Sequence, residues 1–507
     1  MLKKLTIHSA GKISQADVLP GTMLLDAVRS EGFMVYSPCG GKGKCGKCKV
    51  YVRDEGYVTS CLYTIDKDIE IVLPEPAEAK ILSAQYEYSR VLPLSPGKSS
   101  RLSGSPFGVA IDLGTTTLAF HFIRLTTGSL LETTTVLNPQ AKYGADVISR
   151  INYCITLPEG LHTLQSELID AINLQMAHFT GKPDIKPDDI VKICICGNTT
   201  MLHILLGVNP EPLAFVPFTP VFTEQKVIRA SKLNLDCNPR GEVKVLPSLS
   251  AYIGADIVAG IASLAPVPAH RNFLFIDVGT NGEIALVTED RIWCCATAAG
   301  PAFEGATIEH GMGALQGAIN IYYGQNNFQT IGDTLPVGIC GSGLIDLAAA
   351  LAGSGYVSSD GYMEENYVVV PSGRSATGTD IYISPKDIRE IQLAKSAIAS
   401  GISILLRRAG LTVTDIDALY LAGGFGNYIR KESAEAIGLI PSGLSEKVIP
   451  VGNTSGTGAM LAVRSVLFER VIEETRGRMI SFELSDDEEF PLQFAINMEF
   501  PDRSDLR

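Results

Sequence analysis

Four cysteines, Cys39, Cys45, Cys48 and Cys61, follow the spacing C-x5-C-x2-C-x12-C, and three of them lie in the stretch PCGGKGKCGKC. Thiolates at this density bind metal. Gly40, Gly41, Gly43 and Gly46 let the loop wrap tightly with its backbone N–H groups inward, which suits the electron-rich sulfurs around a pair of irons. A structural zinc site is the alternative, but zinc knuckles pair two short C-x2–4-C units and the Cys39–Cys45 gap is longer. Iron–sulfur is the favoured chemistry. Gly41, Gly43 and Gly46 also spell G-x-G-x-x-G, and Gly41 through Lys47 falls one residue short of a P-loop. Neither match is expected to bind nucleotide, because Cys48 stands where a P-loop needs a hydroxyl and no clear βαβ unit surrounds it. Lys42, Lys44, Lys47 and Lys49 crowd the loop, either as a docking face for an acidic electron partner or as an ordinary solvated face.

A second set of residues points to phosphate chemistry. VAIDLGTT, from Val109 to Thr116, is echoed by LFIDVGT, from Leu274 to Thr280, which places Asp112 and Asp277 at the same point of two strand-turn-strand units. Such a carboxylate can hold hydrated Mg²⁺, while the turn Gly114, Thr115, Thr116 and Thr117 offers N–H groups and hydroxyls to phosphate oxygens. Gly279, Thr280, Asn281 and Gly282 form the matching turn. One turn of this kind is weak evidence, and two in equivalent places are much stronger. A third element, Leu421 to Asn427 (LAGGFGN), follows an apolar strand, and Gly423 and Gly424 with Phe425 would let backbone approach a purine and ribose. Asn198, with Thr199, stands at a strand end facing the cleft, where it touches phosphate or the attacking water, or else caps the next helix. Glu283 and Glu304 are weighed as cleft carboxylates against ordinary solvated ones. Cys194, Cys196, Cys294, Cys295 and Cys340 read as buried packing residues, and Trp293 as core.

The elements that must position these residues can be read from pattern. Residues 1–73 predict a small sheet with one helix: Lys3 to His8, Lys49 to Arg53 and Ile69 to Leu73 as strands, and Thr22 as the cap of a helix burying Leu24, Leu25 and Val28. Residues 74–106 are rich in Ser and Pro and predict an extended, poorly packed connector. The remainder alternates strand and helix patterns and repeats: ICICGN at 193–198 is matched by LYLAG at 419–423, and 245–260 by 448–462. Two halves built to one plan, 107–268 and 269–480, imply a cleft between them, and 481–507 is a C-terminal extension without an evident role. The chain has 507 residues, 46% hydrophobic and 19% charged, with a net charge of −13, which excludes a largely disordered chain and argues against nucleic acid as the main partner. No apolar run suits a membrane span, the N-terminus lacks a signal-peptide core, and eleven cysteines, an odd number, fit a reducing compartment. A cytoplasmic protein is expected, and a homodimer is left open.

The order Asp112-x-Gly-Thr-Thr, Gly254-Ala-Asp256, Asp277-x-Gly-Thr, Gly423-Gly-Phe-Gly and Gly456-x-Gly-Ala459 resembles phosphate 1, connect 1, phosphate 2, adenosine and connect 2 of the superfamily of actin, sugar kinases and heat-shock chaperones. Joined to a ferredoxin-type domain, it resembles the reductive activators of corrinoid-dependent proteins over nearly the whole chain. Stretches such as CGNTTMLHILLG, AGPAFEGA, GICGSGLIDL and LAGGFGNYI carry the likeness. The resemblance implies an α/β fold with an N-terminal β-grasp, ferredoxin-like domain, a linker and a duplicated ATPase domain of the actin and sugar-kinase type (ASKHA). It implies a [2Fe-2S] cluster on the four cysteines, ATP with Mg²⁺ in the cleft, catalytic roles for Asp112, Asp277 and Asn198, and nucleotide contacts from the glycines and threonines of the three turns. It also implies a corrinoid protein of a methyltransferase system as partner, an upstream low-potential electron donor, and ATP-driven reduction of Co(II) to Co(I). The competing readings are a small-molecule kinase with an accessory iron–sulfur domain and an actin-like scaffold.

Overall fold

Three sheets carry the chain, and each grows from segments whose apolar pattern demands it. The computed structural model describes residues 2–501 except 10, 11, 34, 75–93, 96, 98–103, 105, 145, 265–269, 280, 326 and 424–427. Thr280, Gly424, Phe425 and most of the 74–106 connector therefore lie outside the described residues. The first sheet is built from β1 (Lys3–Ser9), β2 (Lys12–Val18), β3 (Lys49–Val52), β4 (Gly56–Thr59) and β5 (Ile69–Val72), in the order β2-β1-β5-β3-β4. Leu5, Ile7 and Ile71 point inward, and helix Leu24–Ser30 packs Leu24, Leu25 and Val28 in the same cluster. The expected cap differs by one residue. Thr22 pairs in a short strand with its hydroxyl on the Leu19 carbonyl, and the N-cap is Met23. The carbonyls of Tyr63 and Ser60 receive the Leu24 and Leu25 N–H groups, so the helix start is satisfied without a side-chain cap.

The two halves share one topology. In the first, β6 (Phe107–Leu113), β7 (Thr117–Arg124) and β8 (Ser129–Leu137) form an antiparallel meander. Then β9 (Ile190–Gly197) runs parallel to β6 and β11 (Glu242–Val245) parallel to β9, with β10 (Lys226–Arg229) as edge. In the second, β12 (Phe273–Val278), β13 (Gly282–Val287) and β14 (Ile292–Thr297) form the meander. There β15 (Ala418–Ala422) is parallel to β12 and β16 (Val448–Gly452) parallel to β15. Strand β9 is buried throughout, as a central parallel strand covered on both faces must be. Asp112 and Asp277 come at equivalent ends of β6 and β12. Trp293, expected in the core, is only half buried on β14, with the Arg291 guanidinium 5.9 Å from its ring centroid.

Helices Ala255–Leu264 and Thr454–Arg464, each following a late parallel strand, cross where side chains are smallest. A Cβ on Gly458 would lie 2.4 Å from the Ala259 carbonyl oxygen, and one on Gly260 2.8 Å from Thr454 Oγ1. The second helix also packs on the first half: a Cβ on Gly108 of β6 would sit 2.4 Å from Val463 Cγ1. The halves are thus joined by close backbone approach. Packing of the second half continues past 480. There β17 (Met479–Ser481) pairs with β14, helix Phe490–Ile496 packs on helix Pro385–Ala409, and Lys395 Nζ donates to the Asn497 carbonyl at 2.6 Å. The connector is tied to the ATPase-like halves where Ser95 N donates to Arg464 O at 2.9 Å and Val466 N to Ser95 O at 2.8 Å, and where Leu125 N donates to Pro106 O at 3.0 Å.

Gly458→Val should therefore cost about 1–3 kcal/mol by overpacking against backbone. Gly477→Ala, whose Cβ meets nothing within 4 Å, should gain up to about 1 kcal/mol from helix propensity. Urea denaturation of the two variants checks both signs.

Candidate functional site

The cysteine loop wraps inward as its glycines require. Gly40, Gly41, Gly43 and Gly46 all have positive φ, from 66° to 90°. The Cys39 sulfur accepts from the N–H groups of Cys45, Lys44 and Gly41, Cys45 from Lys47 and Cys39, and Cys61 from Gly43. The four sulfurs form two pairs. Cys45 and Cys39 lie 3.2 Å apart, and the Cys61 N–H donates to Cys48 at 3.4 Å, with the two thiols hydrogen-bonded. Burial opposes the Cys39 thiolate, but its hydrogen bonds prevail and lower the thiol to about 6. Burial and the bonded Cys48 push Cys61 up to about 11. Two thiol pairs under inward N–H groups fit a two-iron cluster, one iron to each pair. Arg29 faces Cys48, Cys61 and Cys39 and donates to Ser37 at 2.6 Å, a cation beside the thiols that the spacing of the cysteines does not reveal.

Two of the four loop lysines turn to the chain's own second half. Lys47 is buried, its Nζ donating to the carbonyls of Ile308 and of Glu309, the latter at 2.8 Å, and Lys49 is half buried facing Glu309. Tyr36 OH adds a bond to the Glu304 carbonyl at 2.8 Å. Only Lys42 and Lys44 remain exposed.

In the cleft, Asp112 is gripped from the other half: Asn453 Nδ2 donates to Oδ2 at 2.7 Å and Ser455 Oγ to Oδ1 at 2.8 Å. Asn453 also caps helix Thr454–Arg464, so the positive helix end faces the carboxylate. Asp277 feels Asp112, Asp256 feels both, and Glu283 feels Asp277 and Asp256. Burial, then these neighbours, raise Asp277 and Asp256 to about 7 and Glu283 well above its usual range. Asp112 is also raised, by burial, against the pull of Ser455 and Asn453. Among the described residues no three His, Cys, Asp or Glu side chains gather as direct ligands of one ion.

The structure brings most predicted residues together. Gly114 N closes its turn on Thr117 O at 3.0 Å, and Gly279 N closes the equivalent turn on Asn281 O at 2.9 Å. Gly282 starts β13 with its Cα against Thr297, and the Asn281 side chain bonds Glu283, which is a cleft carboxylate. Glu304 lies instead at the Tyr36 contact. A Cβ on Gly423 would stand 2.6 Å from Asp277 Oδ1, so the end of β15 approaches that aspartate closely. Asn198 caps helix Thr199–Leu205 through Met201 N at 3.0 Å, and its Nδ2 holds Thr115 Oγ1 at 2.9 Å. The five additional cysteines named above are all buried. Asn138, Asn453 and Ser455 were not singled out by sequence, and Asp256 only as part of the Gly254-Ala-Asp256 segment; the Asn-Thr-Ser following β16, at the head of a helix, is the local signal for two of them.

Three family models match. One described as the 2Fe-2S iron-sulfur cluster binding domain matches residues 7–72, one as the RACo middle region 107–265, and one as the C-terminal domain of RACo, the ASKHA domain, 271–506. The corrinoid activation enzyme RamQ of Eubacterium limosum is 30% identical, over 96% of this chain and 98% of its own. The chain belongs to the family of reductive activators of corrinoid proteins. A [Co(II) methylated amine-specific corrinoid protein] reductase of Methanosarcina barkeri is 27% identical over 69% of this chain and 68% of that one. A solved reductive activator for a corrinoid, iron-sulfur protein superposes with a TM-score of 0.69 at 29% identity, covering 98% of each chain. Like its relatives, this activator is an enzyme, with an iron–sulfur domain ahead of an ASKHA domain. No helix among its described residues is long and apolar enough to cross a membrane.

Because Asp277 and Asp256 titrate near 7 rather than the ordinary 3.8, the fold binds more protons than the unfolded chain between those values. Stability is therefore lost as pH rises from about 4 to about 7. Asp277→Asn should raise Tm at pH 8, the gain shrinking towards pH 4, in thermal scans without Mg²⁺. A lower Tm than the parent at pH 8 would contradict this.

Proposed function

We propose that this enzyme is an ATP-driven electron transferase that returns a corrinoid protein of a methyltransferase system from inactive Co(II) to Co(I). The observation that carries the reading is the end-to-end likeness to RamQ of a chain joining a four-thiol loop to a paired-turn cleft. Cys39 with Cys45 and Cys48 with Cys61 would hold a [2Fe-2S] cluster. Such a group supplies a one-electron carrier at roughly −400 mV. The chain's part is to donate N–H groups to the sulfurs, and to leave Lys42 and Lys44 free to meet an acidic, low-potential donor.

In the cleft, Asp112 and Asp277 would hold the hydrated Mg²⁺ of ATP, with Thr115, Thr116 and Thr117 on the phosphates. Gly279, Thr280, Asn281 and Gly282 would complete the second phosphate turn, and Gly423, Gly424 and Phe425 the adenosine side. Asn198 would serve by fixing Thr115. With the repulsion among Asp112, Asp256, Asp277 and Glu283 relieved, these carboxylates would let the halves approach, which would change the surface shown to the partner. Bound Co(II) is generally harder to reduce than such a cluster, and a surface that binds the two cobalt states unequally can drive the uphill electron step. The kinase reading shares the cleft but leaves four thiols without a task, since phosphoryl transfer is redox-neutral.

Iron and sulfide analysis of protein purified without oxygen should give about two of each per chain; stoichiometric zinc would overturn the cluster assignment. Under the same conditions Cys61→Ala should abolish Co(I) formation, followed by visible spectra, while ATP binding persists. Asp277→Ala should lose ATP turnover and ATP-driven reduction with the cluster intact. Normal rate and extent of Co(II) reduction by Asp277→Ala would show that ATP is not coupled to the electron step.

A further inference from the structure

Beneath the first phosphate turn lies a buried guanidinium that the roles above do not use. Arg150, on helix Val147–Thr156, is fully buried. Its Nε donates to Gly144 O at 2.9 Å, one terminal nitrogen to Gln140 Oε1 and to Met201 Sδ, both at 3.1 Å, and the other to Thr115 O at 2.6 Å. All four acceptors are neutral. Among the described residues no carboxylate stands within ion-pair distance of it, and Asp146, at the head of the same helix, acts only from farther away. A permanently charged group taken out of water without a counter-ion opposes folding. Packing alone would be served as well by a neutral side chain of similar volume.

The carbonyl it holds has a stereochemical consequence. Asn138, also fully buried, donates its Nδ2 to Gly114 O at 2.9 Å and its N–H to Thr116 O at 2.8 Å. Asn138 and Arg150 thus draw in the carbonyls of Gly114, Thr115 and Thr116 in succession. In a planar trans peptide the carbonyl and the following N–H point in opposite directions. Holding the Gly114 and Thr115 carbonyls inward turns the N–H groups of Thr115 and Thr116 outward, and neither has a hydrogen-bond partner among the described residues. The Thr115 hydroxyl is fixed separately by Asn198. Two outward N–H groups above a buried cation form an anion-binding turn. The carboxylates of the cleft beside it are Asp112, Asp256, Asp277 and Glu283, with the Cys196 thiol against Asp112.

We propose that Arg150 is the positioning residue of the phosphate turn: through the Thr115 carbonyl it aims the Thr116 N–H, and its charge offsets the carboxylates for an incoming polyphosphate. It touches no phosphate itself. The inference rests on the nucleotide reading of the cleft, and it predicts a phosphate-selective effect that a packing role would not produce.

Calorimetric titration of the full chain with ATP and Mg²⁺, and separately with adenosine, tests it. In Arg150→Gln, ATP affinity should fall about tenfold or more, the size of one charge-assisted hydrogen bond, with adenosine affinity unchanged. Arg150→Lys, which restores the charge without the planar fork, should recover part of the loss. If the parent protein does not bind ATP, the nucleotide reading fails and this inference with it. If the parent binds ATP and a folded Arg150→Gln binds it equally well, or loses ATP and adenosine alike, the inference alone is overturned. Should Arg150→Gln not fold, Arg150→Lys carries the same comparison: a severalfold loss confined to ATP supports the assignment, and parental affinity for both ligands overturns it.

Discussion

Four carboxylates share one cleft, and the repulsion among Asp112, Asp256, Asp277 and Glu283 is the constraint to which the ATPase halves are built. Left to themselves these groups would separate into water. They are kept together because the strands carrying Asp112 and Asp277 are embedded in two large cores, and the helices behind them cross at glycines with no room to slide. Asn453 and Ser455 complete the restraint by reaching across from the second half to the aspartate of the first. Unfavourable charge is thus stored where a cation relieves it, an arrangement typical of sites that trade stability for function.

The redox side obeys the opposite logic. Donors line the loop, from its N–H groups to the Arg29 guanidinium, and at Cys39 they prevail over burial and hold the thiol down to about 6, although burial and Cys48 keep Cys61 up at about 11. The two environments sit in one chain yet differ in sign. Hydrogen-bond donors and a guanidinium therefore face the thiols, whereas carboxylates face one another across the cleft.

What was legible in the sequence was chemistry confined to contiguous residues. The cysteine loop, the two Asp-x-Gly-Thr turns and the parallel echoes at 193–198 and 419–423 foretold the small sheet, the doubled topology and the cleft, because each depends on local spacing. Residues acting on backbone atoms or over long separations left no such mark. Asn453 is 341 residues from the aspartate it holds, and Asn138 and Arg150 engage carbonyls, which carry no side-chain signature. Lys47 looked like part of a surface charge run and is buried against Ile308 and Glu309, since a long side chain in a lysine run can as well be an internal strut. The Thr22 cap failed for a related reason: carbonyls from Ser60 and Tyr63 supplied what a local hydroxyl was expected to give.

The small domain rests on both halves of the ATPase, but not equally. Tyr36 and Lys47 bind it to the second half by hydrogen bonds, whereas towards the first half Gly40 lies so that an added Cβ would be in ordinary contact, 3.7 and 3.9 Å, with the carbonyls of Ala141 and Lys142. A body seated on two jaws cannot stay flush with both if their angle changes, and the hydrogen-bonded seam would hold it the longer. Were the angle between the halves to change, the edge beside Gly40, next to the part-exposed Cys39, would be where the difference is felt.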